Sequence, residues 1–164
     1  MLLSSPPSND AGALGSELGR WSELVTELKS SLLWLVGNVL LSAGMISYGG
    51  AFVMSYRTVM ENSWKKQCDT QGIAVDPEFS LGRVLGDDVT TRQWRILGLP
   101  EDTFSTENGL ITTLAGRWPL IIDPQEQGNR WIRNLEADNQ LQITTASDSN
   151  FLRILENSVR SGLP

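Results

Sequence analysis

Trp118 to Glu136 reads WPLIIDPQEQGNRWIRNLE, and the fold turns on how this stretch is read. It opens with a short apolar run, Pro119-Leu120-Ile121-Ile122, of the kind that makes a buried strand. A turn follows, Asp123-Pro124-Gln125-Glu126-Gln127-Gly128, and then a helical segment in which Trp131, Ile132 and Leu135 share one face. Strand, loop and helix are also the layout of a phosphate-binding loop, whose pattern is GxxxxGK followed by Ser or Thr. In such a loop the backbone N–H groups cradle phosphate, the Lys neutralises its charge and the hydroxyl holds Mg²⁺. Laid on this sequence, the first Gly position holds Asp123, while the second is present as Gly128. The Lys position holds Asn129 and the Ser/Thr position Arg130. Asp123 and Glu126 put negative charge where a triphosphate would sit, and Asn129 has no ammonium to offer. The pattern predicts a phosphate loop that keeps the geometry and has lost the chemistry, with no cofactor bound there.

Working outward, Leu141 to Thr145 (LQITT) is a second strand candidate, and Gly109 to Leu114 a third. Ser147 or Asp148 can cap a final helix over about 149–160, with Phe151, Leu152, Leu155 and Val159 on one side and Gly162 as its stop. Strand, loop, helix, strand, helix points to an α/β fold with a parallel sheet in right-handed crossovers. Two or three short strands rarely make such a sheet alone. A piece of a larger protein is therefore expected. Between the halves, residues 69–79 read as a loop and Phe79 to Leu85 as a helical turn. Asp88 starts a short helix with Val89, Arg92 and Trp94 inside it, Gly98-Leu99-Pro100 ends that helix, and Glu101 to Asn108 is a polar loop.

The N-terminal half is helical. MLLSSPPSND is a flexible lead-in without the basic and apolar regions of a signal peptide. Leu14, Leu18, Trp21, Leu24 (or Val25) and Leu28 then recur at spacings of three and four, a narrow seam about two heptads long. A surface helix on a core reads the same way. Between Lys29 and Arg57 no residue is charged. By length this run could span a bilayer, which takes about 20 apolar residues. Its alternative is a helix buried on nearly all sides to about Tyr48, a turn at Gly49-Gly50, and a second helix from Ala51 to about Gln67. Phe52, Tyr56, Val59 and Met60 would form the inner face of that second helix. Interspersed Gly, Ser and Asn, the Gly49-Gly50 break and the absence of a basic flank weigh against the span.

Composition narrows the function. At 164 residues the chain suits one domain, or one domain with a helical extension. A net charge of −6, from 13 basic and 19 acidic residues, lacks the basic footprint of a nucleic-acid binder. With no His and a single Cys68, His triads, His metal sites, Cys-cluster zinc sites and an intramolecular disulfide are excluded. No metal site and no catalytic residue is expected.

Five blocks carry a family resemblance: Leu18-Gly19-Arg20-Trp21, GNVLLSAGMISYGGAF (37–52), GLPEDTFSTENG (98–109), RWPLIIDPQEQGNRWIRNLE (117–136) and SDSNFLRILENSVRSGLP (147–164). They resemble the dynein heavy chain, at the ring-proximal end of its returning stalk helix and the first part of its fifth AAA+ module. RWPL and the run from Asn150 to Asn157 look more like axonemal than cytoplasmic heavy chains. The resemblance covers nearly everything after about residue 11. It implies a lead-in (1–13), the end of the stalk coiled-coil helix (14–30), the helical part of the module (31–100), and an α/β core with a degenerate phosphate loop (101–164). That core would stop short of the Walker B strand. The fold so implied is a partial AAA+ parallel sheet behind a long helical, coiled-coil-like extension, with the uncharged run 30–56 buried in the module rather than in a membrane.

The function so implied is that of a fragment of a microtubule-based motor. It would be a non-hydrolysing module that mechanically links the motor ring to the stalk, and not an enzyme by itself. ATP and Mg²⁺ would belong to other modules of the parent chain. The implied partners are neighbouring AAA+ modules, the stalk, other dynein-complex subunits, and microtubules through the parent's stalk tip, with no nucleic acid and no membrane. The implied location is the cytoplasmic cytoskeleton, in the ciliary or flagellar axoneme. The alternative function is a nucleotide-binding module with an atypical phosphate loop, in which Asp123, Gly128, Asn129 and Arg130 would form the site. Taken residue by residue, Asp123-Pro124 reads as a strand-ending turn, and Trp118 and Trp131 as packing residues. Arg117 and Arg130 read as surface ion-pairing side chains or as contacts to a neighbouring module's nucleotide. Asp102 and Glu107 have no partner that would suit them to acid–base work.

Overall fold

The computed structural model describes residues 9–164, with side chains from residue 15 onward. The lead-in expected over 1–13 lies outside the described residues as far as residue 8, as does the side chain of Leu14; from Asn9 the chain is helical. Helix α1 runs Asn9–Tyr48, 40 residues without a proline, and so about 60 Å at 1.5 Å per residue. Its two halves live in different surroundings. From Leu18 to Val36 its large apolar side chains are exposed, Leu33 at 73%, apart from the half-buried Trp34. From Gly37 on, α1 enters a helical body: Leu41, Ser42 and Met45 are buried, and a side chain at Gly37 would collide with the Ala74 carbonyl. Over Gly15–Ala51 the helix is long and apolar enough to cross a membrane by length and composition, and only 22% of its most apolar window is covered by this chain. The expectation of a helix buried on nearly all sides is thus corrected to one buried along one face over its last three turns, with Val39, Leu40 and Tyr48 exposed.

The body is built from short helices around that foot. A 3-10 turn at Gly49–Ala51 leads to α2 (Met54–Thr70). Next come α3 (Leu81–Leu85), α4 (Asp88–Ile96) and α5 (Thr103–Leu114). The inner face of α2 differs from the expected one. Tyr56 and Val59 are exposed, whereas Arg57 and Cys68 are buried and Met60 and Trp64 pack on the core between them, a helical spacing of three, four and four. Two apolar clusters result. Leu41, Cys68 and Phe79 join α1 to α2 and the loop before α3. Met45, Leu81, Trp94, Leu99, Leu110 and Trp131 join α1, α3, α4 and α5 to α6 (Gln127–Leu135). Helix α7 (Phe151–Ser161) ends on Gly162 in the left-handed region, φ 65°.

The parallel sheet is not there. Among the described residues every regular element is helical, which overturns the α/β expectation. Gly109–Leu114 and the supposed polar loop before it form α5. The local cause is a cap: the Asp102 carboxylate accepts from the Ser105 N–H (2.8 Å) and hydroxyl (2.7 Å), starting a helix that the β-branched Ile111, Thr112 and Thr113 do not stop. Pro119–Ile122 has no regular secondary structure and forms no backbone ladder among the described residues, and Leu120 and Ile122 are 91% and 89% exposed. Among the described residues, Leu141–Thr145 makes a single backbone bond to a distant part of the chain, from the Gln142 N–H to the Pro164 carbonyl at 3.0 Å. A strand exists only where a neighbour supplies a ladder, and neither run finds one among the described residues.

The caps have a pH consequence. Bonds from the Ser105 side chain, then its backbone, hold the Asp102 carboxyl below the usual aspartate value of 3.8. A lowered pKa adds stability that is present above the unfolded value and lost as pH falls through the folded one. Amide protection in the first turn of α5 is therefore expected to weaken as pH drops below 3.8. Hydrogen exchange across that range would read it, and Asp102→Asn, which caps about as well, should flatten the dependence.

Candidate functional site

The loop between the apolar run 119–122 and α6 carries the residues singled out by the phosphate-loop template. Asp123 turns its carboxylate onto the start of α6: one oxygen accepts from the Gln127 N–H at 3.0 Å, the other from the Asn129 N–H at 2.8 Å. These are free amides of a helix N-terminus, the groups a phosphate would use. The turn closes through Glu126, held at φ 59° with its N–H bonded to the Asp123 carbonyl at 3.3 Å. At Gly128 a side chain would crowd Ile121 (3.2 Å) and the Asp123 carboxylate (3.4 Å), so the backbone approaches closely there for the sake of the acid.

The four template residues are thus not all gathered. Asp123, Gly128 and Asn129 meet at the helix start. Asn129 accepts from the Arg133 Nε at 2.6 Å, and Arg130 lays its stem beside Gly98, away from the loop. Behind the loop, Trp131 is 2% exposed and packs edge-on against Trp94, with ring centroids 5.6 Å apart. Asn134 ties α6 to the end of α4 by donating to the Leu97 carbonyl at 2.7 Å. Among the described residues no group of three or more His, Cys, Asp or Glu could hold a metal ion.

A second polar centre was not visible as a site in the sequence. The Arg57 side chain is 1% exposed, and each of its three nitrogens donates a hydrogen bond. Its Nε donates to the Gly49 carbonyl (2.9 Å) and the Phe52 carbonyl (3.0 Å) at the foot of α1. One terminal nitrogen reaches Glu107 (3.2 Å), the other Asn108 (2.5 Å), and the guanidinium lies 4.5 Å from the Phe104 ring centroid. A cation at the C-terminal end of a long helix meets the negative end of its dipole. Burial pushes the Glu107 carboxyl above its usual value, and Arg57 opposes this only in part. The one signal in the sequence was an arginine in register with Met60, Trp64 and Cys68, where an apolar residue would be expected.

Comparison with known proteins finds two family matches, one taking in α1 and most of α2, the other running from within α4 onward. Residues 7–68 match the family described as the microtubule-binding stalk of dynein motor, and residues 92–164 the ATP-binding dynein motor region. The chain is 48% identical over 152 residues to human dynein axonemal heavy chain 6, 43% over 151 to mouse dynein axonemal heavy chain 3, and 44% over 151 to human dynein axonemal heavy chain 1. Each match takes in 92–93% of this chain. The chain belongs to the dynein heavy chains, of the axonemal type. It spans about 4% of the length of these relatives.

Proposed function

We propose that this segment mechanically links the motor ring of a dynein heavy chain to its stalk, through a fifth AAA+ module that does not hydrolyse nucleotide. The observation that carries the reading is the Asp123 carboxylate, seated on the Gln127 and Asn129 amides where a phosphate would need them. No ammonium stands nearby at position 129, and Glu126 adds a further negative charge. The relay half of the reading rests on α1, a single helix whose first half is free along its apolar seam and whose last turns are packed into the body. The partners would be neighbouring modules and the stalk of the same chain, other dynein-complex subunits, and microtubules through the stalk tip. The site of action would be the ciliary or flagellar axoneme.

Two experiments test the halves separately. Calorimetry of Mg-ATP against the chain, extended through the rest of its module, is expected to give no binding at millimolar nucleotide. Micromolar, Mg²⁺-dependent binding would favour instead a nucleotide-binding module with an atypical loop. In the full-length heavy chain, Leu28→Pro is expected to break α1 in its exposed half, at about 3 kcal/mol for a helix-interior proline. It should uncouple ATP turnover from microtubule affinity while the body stays folded. A motor that still coupled the two would sink the relay.

A further inference from the structure

Taking a charge out of water costs free energy that only well-placed partners offset, so a buried arginine is tied to the geometry of the groups it bonds. Arg57 holds four groups from two places: the carbonyls of Gly49 and Phe52 beyond the end of α1, and the side chains of Glu107 and Asn108 on α5. The residue after Asn108 is Gly109, whose missing side chain lets Trp94 close onto α5, where a Cβ would lie 2.9 Å from the indole. Trp94 in turn meets Trp131 on α6, the helix that Asp123 caps. A contiguous path of packed groups therefore runs from the foot of the long helix to α6, buried at Arg57, Gly109, Trp94 and Trp131, and its first link is a polar clasp.

We propose that Arg57 is the joint that locks the foot of α1 to α5, so that movement of the long helix is transmitted into the body rather than absorbed at the Gly49-Gly50 turn. This rests on the relay reading above. Gly49, Gly50 and Ala51 form one 3-10 turn between two helices, and Phe52 is extended; such a junction bends easily unless a side chain pins its carbonyls. Arg57 pins two of them from the first turn of α2 and anchors both to α5. Arg57 is a positioning residue in this account and touches no nucleotide.

The test uses the full-length heavy chain with Arg57→Lys and, separately, the paired change Arg57→Met with Glu107→Leu. The paired change exchanges a buried ion pair for apolar groups of similar size, which commonly leaves stability unaltered. Lys keeps the charge but cannot span four acceptors with one compact ammonium. Both variants are expected to lose about tenfold in the ATP-dependent change of microtubule affinity, within the usual range of coupling between sites. Basal ATPase and α5 hydrogen-exchange protection should stay as in the parent. If the paired variant keeps α5 protected and couples normally, Arg57 is only a structural residue and the joint is overturned. If the paired variant unfolds, Arg57→Lys decides by the same reading. Leu28→Pro run beside them separates the two ideas: normal coupling in all three variants sinks the relay itself, while loss in Leu28→Pro alone sinks only the joint.

Discussion

Arg57→Met alone should lower the stability of the helical body by about 3–5 kcal/mol, because breaking a buried ion pair leaves one partner charged, unpaired and out of water. The loss would be read as faster amide exchange in α5 and the last turns of α1. Its pH dependence has a definite sign. Burial already holds the Glu107 carboxyl above its usual value of 4.5, and removing Arg57 raises it further. A raised pKa contributes stability that is complete below the unfolded value and is lost as pH rises through the folded one. The deficit of Arg57→Met should therefore be largest near neutral pH and shrink as pH falls toward 4.5, where Glu107 can be buried as the neutral acid. Glu107→Gln should not recover in acid, since a guanidinium cannot shed its proton. A deficit in Arg57→Met that grew on acidification would contradict this account of the clasp.

Trp131→Ala is expected to cost a similar amount, about 3–5 kcal/mol for a large aromatic removed from a packed core. Trp131 is where α6 is fastened to the body: its ring lies against Trp94 in the cluster with Met45, Leu81, Leu99 and Leu110. Thermal or urea unfolding would measure the loss, and α6 should exchange its amides before α5 does. Trp131→Phe should cost far less. The Trp131 indole N–H is buried with no hydrogen-bond partner among the described residues, so its removal relieves a desolvated donor while most of the ring packing survives. A Phe variant as damaged as the Ala variant would mean that the indole N–H does find a partner in the folded protein.

Much of the helical plan was legible because it is local. The seam from Leu18 to Leu28 repeats at the helical period, Gly162 supplies the left-handed stop after α7, and Gly49-Gly50 marks the break after α1. The phosphate-loop template also placed Asp123 and Gly128 together from spacing alone. The strands failed for a non-local reason. Leu120, Ile121 and Ile122 look like a buried strand by composition, but whether such a run becomes one depends on a neighbour's backbone, which no feature of the run itself encodes. Gly109 to Leu114 failed for a local reason misjudged: the cap at Asp102 outweighed the β-branched residues that follow.

By itself, then, the amino-acid sequence determined that α1 breaks at Gly49-Gly50 and α7 stops at Gly162, that the loop after Ile122 lacks the lysine and hydroxyl of a phosphate site, and which family the chain resembles, since each rests on residue type and short spacing. Only the tertiary structure decided that Arg57 turns inward while Tyr56 and Val59 stay outside, that Glu107 and Asn108, fifty residues downstream, close around it, and that Asp123 occupies the amides of α6. Those outcomes depend on which groups meet across the fold, where a buried charge is tolerated only if every donor finds its acceptor.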